Sequence, residues 1–141
     1  MWGDSMVDIS LHNPTELATP YGPYTQMTRV KNHRELVFIA GQLSVDPEGN
    51  IVGKDDFDRQ CEQVYSNVGA ALRDIGADYS NIVQFTTYLV SSEHIPSIYE
   101  WRKREFPKLF PTDSYPPNTL LVIERLVNEA FLIEVQTVAA L

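Results

Sequence analysis

The chain has 141 residues, 43% of them hydrophobic, which is enough for one substantial core and too few for two ordinary domains. Its formal net charge is -8, and binding to nucleic acid or to an anionic membrane requires a basic face, so both are disfavoured as partners. A single cysteine excludes an internal disulfide, no secretion signal opens the chain, and no apolar run approaches the ~18 residues of a membrane span. We therefore expect a cytoplasmic protein with one domain, residues 1–141.

The first part of the chain predicts an arm followed by two strands. Residues 1–17 have no sustained hydrophobic period and are interpreted as an N-terminal arm that covers an edge or a neighbour. Hydrophobic alternation begins near Tyr21 and continues to Val30, and a continuous apolar run covers residues 36–40. A polar turn separates the two runs, so we predict that they pair as a hairpin.

From Asp56 the hydrophobic period becomes helical. Asp55 or Asp56 can cap the N-terminus of this helix, and Gly76 suits a left-handed stop at its end. Cys61 falls inside the apolar stripe and is interpreted as a packed thiol rather than a nucleophile. The stripe consists of Phe57, Cys61, Val64, Val68, Ala71, Leu72 and Ile75.

The second half predicts a strand, a helix and two further strands. Residues 81–89 are rich in β-branched and aromatic side chains, as in a strand. A helix is predicted from Glu93 to Phe106, where Pro107 ends it. Residues 118–126 and 131–139 are predicted as two strands that form a closing hairpin.

The element order is ββαβαββ, which indicates an α/β (α+β) domain with a mixed sheet and two helices on one face. The other face needs a cover, and oligomerisation is the simplest way to provide one. A basic cluster, residues 102–104, lies between Glu100 and Glu105 and is interpreted as a solvated helix face.

Two stretches carry candidate site residues. Pro116 and Pro117 lack backbone N–H groups and must lie just before a strand, so Asn118 is a neutral amide held at a rigid strand entrance. On the last strand, Glu134 and Gln136 point the same way from a segment that otherwise resembles a buried strand. Glu134 therefore either lines a polar cavity or interface, or belongs to a solvent-facing strand surface.

The common catalytic and cofactor motifs are missing. The sequence has no phosphate-binding glycine loop, no dinucleotide fingerprint, no metalloprotease helix motif and no nucleophile elbow. His12, His33 and His94 are far apart and only one cysteine is present, so neither a metal nor a cofactor is predicted.

An ordered set of short motifs resembles the RidA (YjgF/YER057c-type) family, and it covers nearly the whole chain from about Thr19. This resemblance implies a chorismate-mutase-like fold, a homotrimer whose sheets form a central barrel, and ligand sites in clefts between subunits. The motifs are Gly22-Pro23-Tyr24-Thr25-Gln26, Ala40-Gly41-Gln42, Asn67, Pro116-Pro117-Asn118-Thr119 and Ile133-Glu134-Val135.

The resemblance also implies roles for particular positions. Family members that hydrolyse enamines and imines, such as 2-aminoacrylate, use a strand glutamate to position or activate water, and Glu134 occupies that position. Tyr24 matches a pocket tyrosine. The arginine that holds the substrate carboxylate in the family is Asn118 here, the motif serine is Ala40, and an asparagine of the second helix aligns roughly with Tyr99.

The loss of that arginine bears on specificity. A charge-assisted hydrogen bond contributes roughly 1.5–3 kcal/mol, which a neutral amide cannot replace. Arg125 lies seven residues from Asn118, about 23 Å along a regular strand and on the opposite face, so it is not expected to substitute. Arg29 or Arg102 of another subunit remains an alternative.

We predict a trimer whose clefts bind a small planar metabolite, neutral or charged differently from the family's amino-acid-derived imines. Glu134 would position water for hydrolytic deamination, and Tyr24, Gly41 and Asn118 would contact the substrate in a cleft where Asn118 faces Glu134. The alternatives are a non-catalytic ligand-sensing or partner-binding trimer and an aminomuconate-type deaminase. RNA cleavage fits poorly with the net charge of -8.

Overall fold

The computed structural model describes residues 6–141. In that part of the chain, six strands and two α-helices follow one another, and a short 3-10 turn precedes the fourth strand. They are β1 (Asp8–His12), β2 (Met27–Lys31), β3 (Leu36–Gln42), α1 (Phe57–Asp74), the turn (Tyr79–Asn81), β4 (Ile82–Leu89), α2 (His94–Leu109), β5 (Asn118–Val122) and β6 (Ile133–Ala140).

Four strands form one mixed sheet in the order β3-β6-β4-β5. β4 and β5 are parallel, because α2 carries the chain back across the sheet between them, and the other neighbours are antiparallel. Ile133, Val135 and Ala139 of β6 point to one face and are fully buried in the core that includes the apolar stripe of α1. The predicted mixed sheet with two helices on one face is confirmed.

Both predicted hairpins are wrong. β2 pairs with β1, which lies inside the predicted arm, and these two strands form a separate sheet. β5 does not pair with β6, because β6 lies between β3 and β4. The reason is burial: β6 has an inner face that is almost completely covered and takes a central position, whereas Leu121 and Val122 of β5 stay exposed at the edge.

The first helix forms as predicted. The Asp56 carboxylate accepts a hydrogen bond from the Arg59 N–H at 3.0 Å, and Gly76 follows the helix with φ +72°, which suits glycine. The second helix runs past Pro107 to Leu109. A proline in the last turn removes a single helical hydrogen bond, and the contact between the Phe106 and Phe110 rings, at 5.0 Å, keeps the turn closed.

The face of the sheet opposite the helices is open. Phe38 of β3 is 73% exposed and lies opposite Val138 of β6, on the side that carries Glu134 and Gln136. β3 is an edge strand of the sheet, so the exposed ring of Phe38 and the strand's free backbone edge lie together. Among residues 6–141, no helix has the length and apolar character needed to span a membrane.

Candidate active site

The predicted site residues form two groups within one chain. Ala40, Gly41 and Glu134 line one cleft on the open face of the sheet. The remaining residues, Tyr24, Tyr99 and Asn118, lie around α2 on the other side, as described below. The chain alone therefore does not bring all of the predicted residues together.

Glu134 is placed by strand register. It lies directly opposite Tyr88 of β4, and on its other side the ladder with β3 is interrupted by a bulge between Ile39 and Gln42. Bulges redirect side chains and are frequent beside active sites. A Cβ atom at Gly41 would collide with the Glu134 carboxylate, so a larger residue here would force the Glu134 side chain to move.

The cleft that contains Glu134 has a volume of ≈ 550 Å³. Burial raises the pKa of Glu134 above its ordinary value of 4.5. A carboxyl group with a raised pKa holds its proton more readily than an ordinary surface carboxyl group, which favours a role in proton transfer. Glu134 is half-buried in this cleft on the open face of the sheet. The cleft is lined by Ala40, Gly41, Tyr88, Ile123, Arg125, Leu126, Val127, Glu134 and Gln136.

Arg125 lines this same cleft. β5 ends at Val122, so the predicted strand over residues 118–126 is too long and Arg125 lies in the loop that follows. Arg125 nevertheless lies on the opposite side of the sheet from Asn118, as expected. The Arg125 guanidinium donates to Leu126 O at 3.1 Å and to Val127 O at 3.4 Å, and it pairs with Glu129 at 3.2 Å. A cation and a carboxyl group therefore share the cleft.

Asn118 points into the helix side of the sheet. Its Oδ1 atom accepts hydrogen bonds from Thr87 Oγ1 at 2.7 Å and from Arg102 Nη2 at 3.3 Å. Thr87 Oγ1 in turn accepts a hydrogen bond from Arg102 Nη2 at 2.6 Å. Asn118 and Glu134 lie on opposite sides of the sheet, so the prediction that they face each other now concerns two copies of the chain.

Arg102 was interpreted as part of a solvated helix face, and that interpretation is wrong. It is fully buried, its Nε donates to the Tyr65 hydroxyl at 3.1 Å, and its guanidinium lies 5.5 Å from the centre of the Phe106 ring. Its Nη1 atom has no hydrogen-bond partner within residues 6–141, and no carboxylate of that region pairs with it. The signal was present in the helical period, since Ile98, Arg102 and Phe106 are spaced four apart.

Tyr99 and the loop that carries Tyr24 meet beside this cluster. A Cβ atom built on Gly22 would come within 2.9 Å of the Tyr99 ring, so the loop lies directly on α2. Tyr99 is one helical turn from Arg102. The Tyr24 hydroxyl accepts a hydrogen bond from the Tyr21 N–H at 3.3 Å. The loop that carries Tyr24 therefore packs on α2 at Tyr99, one turn before Arg102.

Asn67 of the motif set has a structural position. Its side-chain amide donates to Leu43 O and Val45 O, both at 3.0 Å, and so holds the segment after β3 against α1. That segment leads out of the bulge that contains Gly41. Among the residues from 6 onward, no three His, Cys, Asp or Glu side chains are grouped as a metal site would need.

Comparisons with known proteins agree on one family. The model of the endoribonuclease L-PSP family matches residues 15–141. A RutC family protein of Pyrococcus abyssi is 31% identical over 120 residues, which are 85% of this chain and 87% of that protein. Reactive Intermediate Deaminase A, chloroplastic, of Arabidopsis thaliana is 32% identical over 120 residues, which are 85% of this chain and 59% of that protein.

A solved structure shows the same fold. The crystal structure of YyfB from Yersinia pestis, described as a protein of unknown function of the Rid family, superposes with a TM-score of 0.81. The match covers 94% of this chain and 98% of that one at 23% identity, a level at which the likeness concerns the fold alone.

Proposed function

Since the chain belongs to the RidA (YjgF/YER057c-type) family, we propose that it binds a small metabolite in clefts between the subunits of a homotrimer and hydrolyses an enamine or imine. Its specificity differs from that of the family's amino-acid-derived substrates, because Asn118 replaces the family arginine and its amide is engaged with Thr87 and Arg102.

The observation that carries this proposal is the position of Glu134. Hydrolytic deamination adds water across a C=N bond and releases ammonia, so a group must take a proton from water and return one to nitrogen. Glu134 lines an open cleft, burial raises its pKa, and the backbone at Gly41 lies against its carboxylate. A carboxyl group that titrates closer to neutrality is suited to both proton transfers.

The separation of the two groups of residues supports a site between subunits. Glu134 and Gly41 lie on the open face, whereas Asn118 is directed to the helix side. The open face also carries Phe38, 73% exposed, which a second copy would cover. We expect light scattering to give the mass of a trimer, and a monomer that retains full activity would contradict the intersubunit cleft.

The activity is tested by ammonia release from enamines generated in situ, including 2-aminoacrylate. We expect Glu134→Gln to lower kcat by about 10²–10⁴-fold, the usual effect of losing a general acid or base, while the fold is retained. Unchanged turnover in Glu134→Gln would exclude the proposed mechanism. Robust turnover of 2-aminoacrylate that survives Asn118→Ala would exclude the proposed change in specificity.

A further inference from the structure

Tyr88 lines the same cleft as Glu134, and the reaction proposed above gives it no role. We propose that Tyr88 is a second catalytic residue of this cleft, whose hydroxyl gives a proton to the nitrogen of the bound imine while Glu134 takes one from water. The assignment rests on the proposed function for its reaction. Contact between the Tyr88 hydroxyl and a bound ligand can be tested without any turnover.

Strand register makes the two side chains neighbours. Tyr88 of β4 lies directly opposite Glu134 of β6, and both line the cleft on the open face of the sheet. The Cβ atoms of such cross-strand pairs are about 4.5–5.5 Å apart. The Glu134 carboxylate lies against Gly41 of β3, on the side away from β4. A small ligand in the cleft can therefore contact the carboxylate and the phenol ring together.

The Tyr88 hydroxyl is available to such a ligand. Tyr88 is partly exposed, and within residues 6–141 its hydroxyl has no hydrogen-bond partner. The hydroxyl is not sealed in the interior, since the buried side-chain polar atoms without a partner in that region belong to Arg102 and Thr137. A phenol hydroxyl both donates and accepts hydrogen bonds, so it can give a proton to a ligand and take one back.

The reaction needs a second proton donor in the cleft. When water adds to a C=N bond, the nitrogen gains a proton as the water loses one. A carboxylate that accepts the proton of water has none to give at that moment. Among the other residues that line the cleft, Gln136 carries a neutral amide and Arg125 a guanidinium, a group that does not release its proton in proteins. The rest are apolar apart from Tyr88, so the role falls to its hydroxyl.

The proton transfers balance over two steps. In the first step, the Tyr88 hydroxyl protonates the imine nitrogen, the oxygen of water forms a bond to carbon, and the Glu134 carboxylate takes a proton from that water. This gives a carbinolamine, a phenolate at Tyr88 and a protonated Glu134. In the second step, Glu134 returns its proton to nitrogen, the phenolate takes the proton of the new hydroxyl group, and the C–N bond breaks. Ammonia and a carbonyl compound leave, and both side chains recover their starting states.

Tyr88→Phe removes the hydroxyl alone and tests its part in catalysis. In ammonia release from enamines generated in situ, kcat should fall by about 10²-fold, the lower end of what a positioned acid contributes, because water can partly replace the hydroxyl in an open cleft. KM should change by less than about threefold. The urea midpoint should stay the same, since the hydroxyl has no partner in the described chain.

Tyr115→Phe is the matched control. Tyr115 is also partly exposed, and its hydroxyl likewise has no hydrogen-bond partner within residues 6–141. Its ring packs against Phe106 of α2 at 5.2 Å, outside the cleft. We expect this variant to keep the kcat of the wild type.

Binding is followed separately with 2-oxobutanamide, a neutral ketone of the kind that the reaction releases. The protein is labelled with carbon-13 at the tyrosine ring carbon that bears the hydroxyl, and the Tyr88 resonance is assigned by its loss in Tyr88→Phe. This resonance should shift as the ketone is added. Tyr88→Phe should weaken the affinity for the ketone by about 2- to 10-fold, the contribution of one hydrogen bond.

The outcomes separate this assignment from the proposed function. Wild-type kcat in Tyr88→Phe, or an equal fall of kcat in Tyr115→Phe, would overturn the role of Tyr88 and leave the mechanism at Glu134 standing. If the wild type releases no ammonia from any enamine, the proposed function fails. In that case a Tyr88 resonance that shifts with 2-oxobutanamide supports the contact with the ligand, and a resonance that does not shift refutes it.

Discussion

Replacing Asn118 by arginine restores the family residue. We expect this variant to lose stability and not to gain turnover of 2-aminoacrylate. The side chain at this position lies 3.3 Å from Arg102 Nη2, and Arg102 is fully buried without a carboxylate partner in the described chain. A second guanidinium at ~4 Å repels the first by roughly 4 kcal/mol at an effective dielectric constant of 20. The acceptor for Thr87 and Arg102 is lost as well, at a cost of about 1–3 kcal/mol.

This penalty is large against the stability of about 5–15 kcal/mol that domains usually have. Urea denaturation at fixed protein concentration measures it as a shift of the midpoint at constant slope. We expect Asn118→Arg to be the least stable variant, Asn118→Ala to lose only the acceptor, and Asn118→Asp to equal or exceed the wild type at neutral pH. In Asn118→Asp a carboxylate faces the buried cation, and its benefit should disappear as pH falls through the low pKa of that carboxylate.

The order of folded stability among the three variants tests this prediction most directly. If Asn118→Arg were as stable as the wild type, the cavity around Arg102 would accept a second cation and the buried position of Arg102 would not be the obstacle. If Asn118→Arg also gained turnover of 2-aminoacrylate, the loss of the family arginine alone would explain the altered specificity. Either result would refute the reasoning from the buried charge.

Two further predictions concern Glu134. Because burial raises the pKa of Glu134, the folded chain holds this proton to higher pH than the unfolded chain, and folded stability falls as pH rises above 4.5. Glu134→Gln should therefore be more stable than the wild type above that pH and equally stable below it, as measured by urea midpoints across pH. A constant difference between the two proteins at every pH would contradict a raised pKa of Glu134. Gly41→Ala places a methyl group against the Glu134 carboxylate and should lower stability by about 1–3 kcal/mol and turnover at least tenfold; the stability loss should shrink in the double variant with Glu134→Ala, and simple additivity would show that the two do not touch.

Elements governed by local periodicity could be predicted from the sequence. α1 formed as expected because its apolar stripe, its cap at Asp56 and its stop at Gly76 all lie within one segment. The direction of Glu134 was also predictable, since alternation along a buried strand fixes the face. In each case the controlling residues are neighbours in sequence.

Strand pairing and charge burial could not be predicted in the same way. The pairing of β6 with both β3 and β4 depends on which strand has the most surface to cover, which no single turn reveals. The burial of Arg102 was not predicted, because the prediction relied on its charge rather than on its position in the helical stripe. The groups that form hydrogen bonds with Arg102 lie on β4, β5 and α1, which are distant in sequence. The strand predicted to Leu126 ends at Val122, because the end of a strand depends on partners that the sequence does not identify.

The open face links ligand binding to assembly. Phe38 and Glu134 lie on the same side of the sheet, so a second copy that covers the exposed ring would also narrow the Glu134 cleft. Covering the cleft would add to the desolvation that already raises the pKa of Glu134. In the proposed trimer, assembly and the chemistry of the cleft therefore depend on each other. A substitution at Phe38 that prevents assembly should lower ammonia release although it does not contact Glu134, and full activity in a monomeric Phe38 variant would contradict this link.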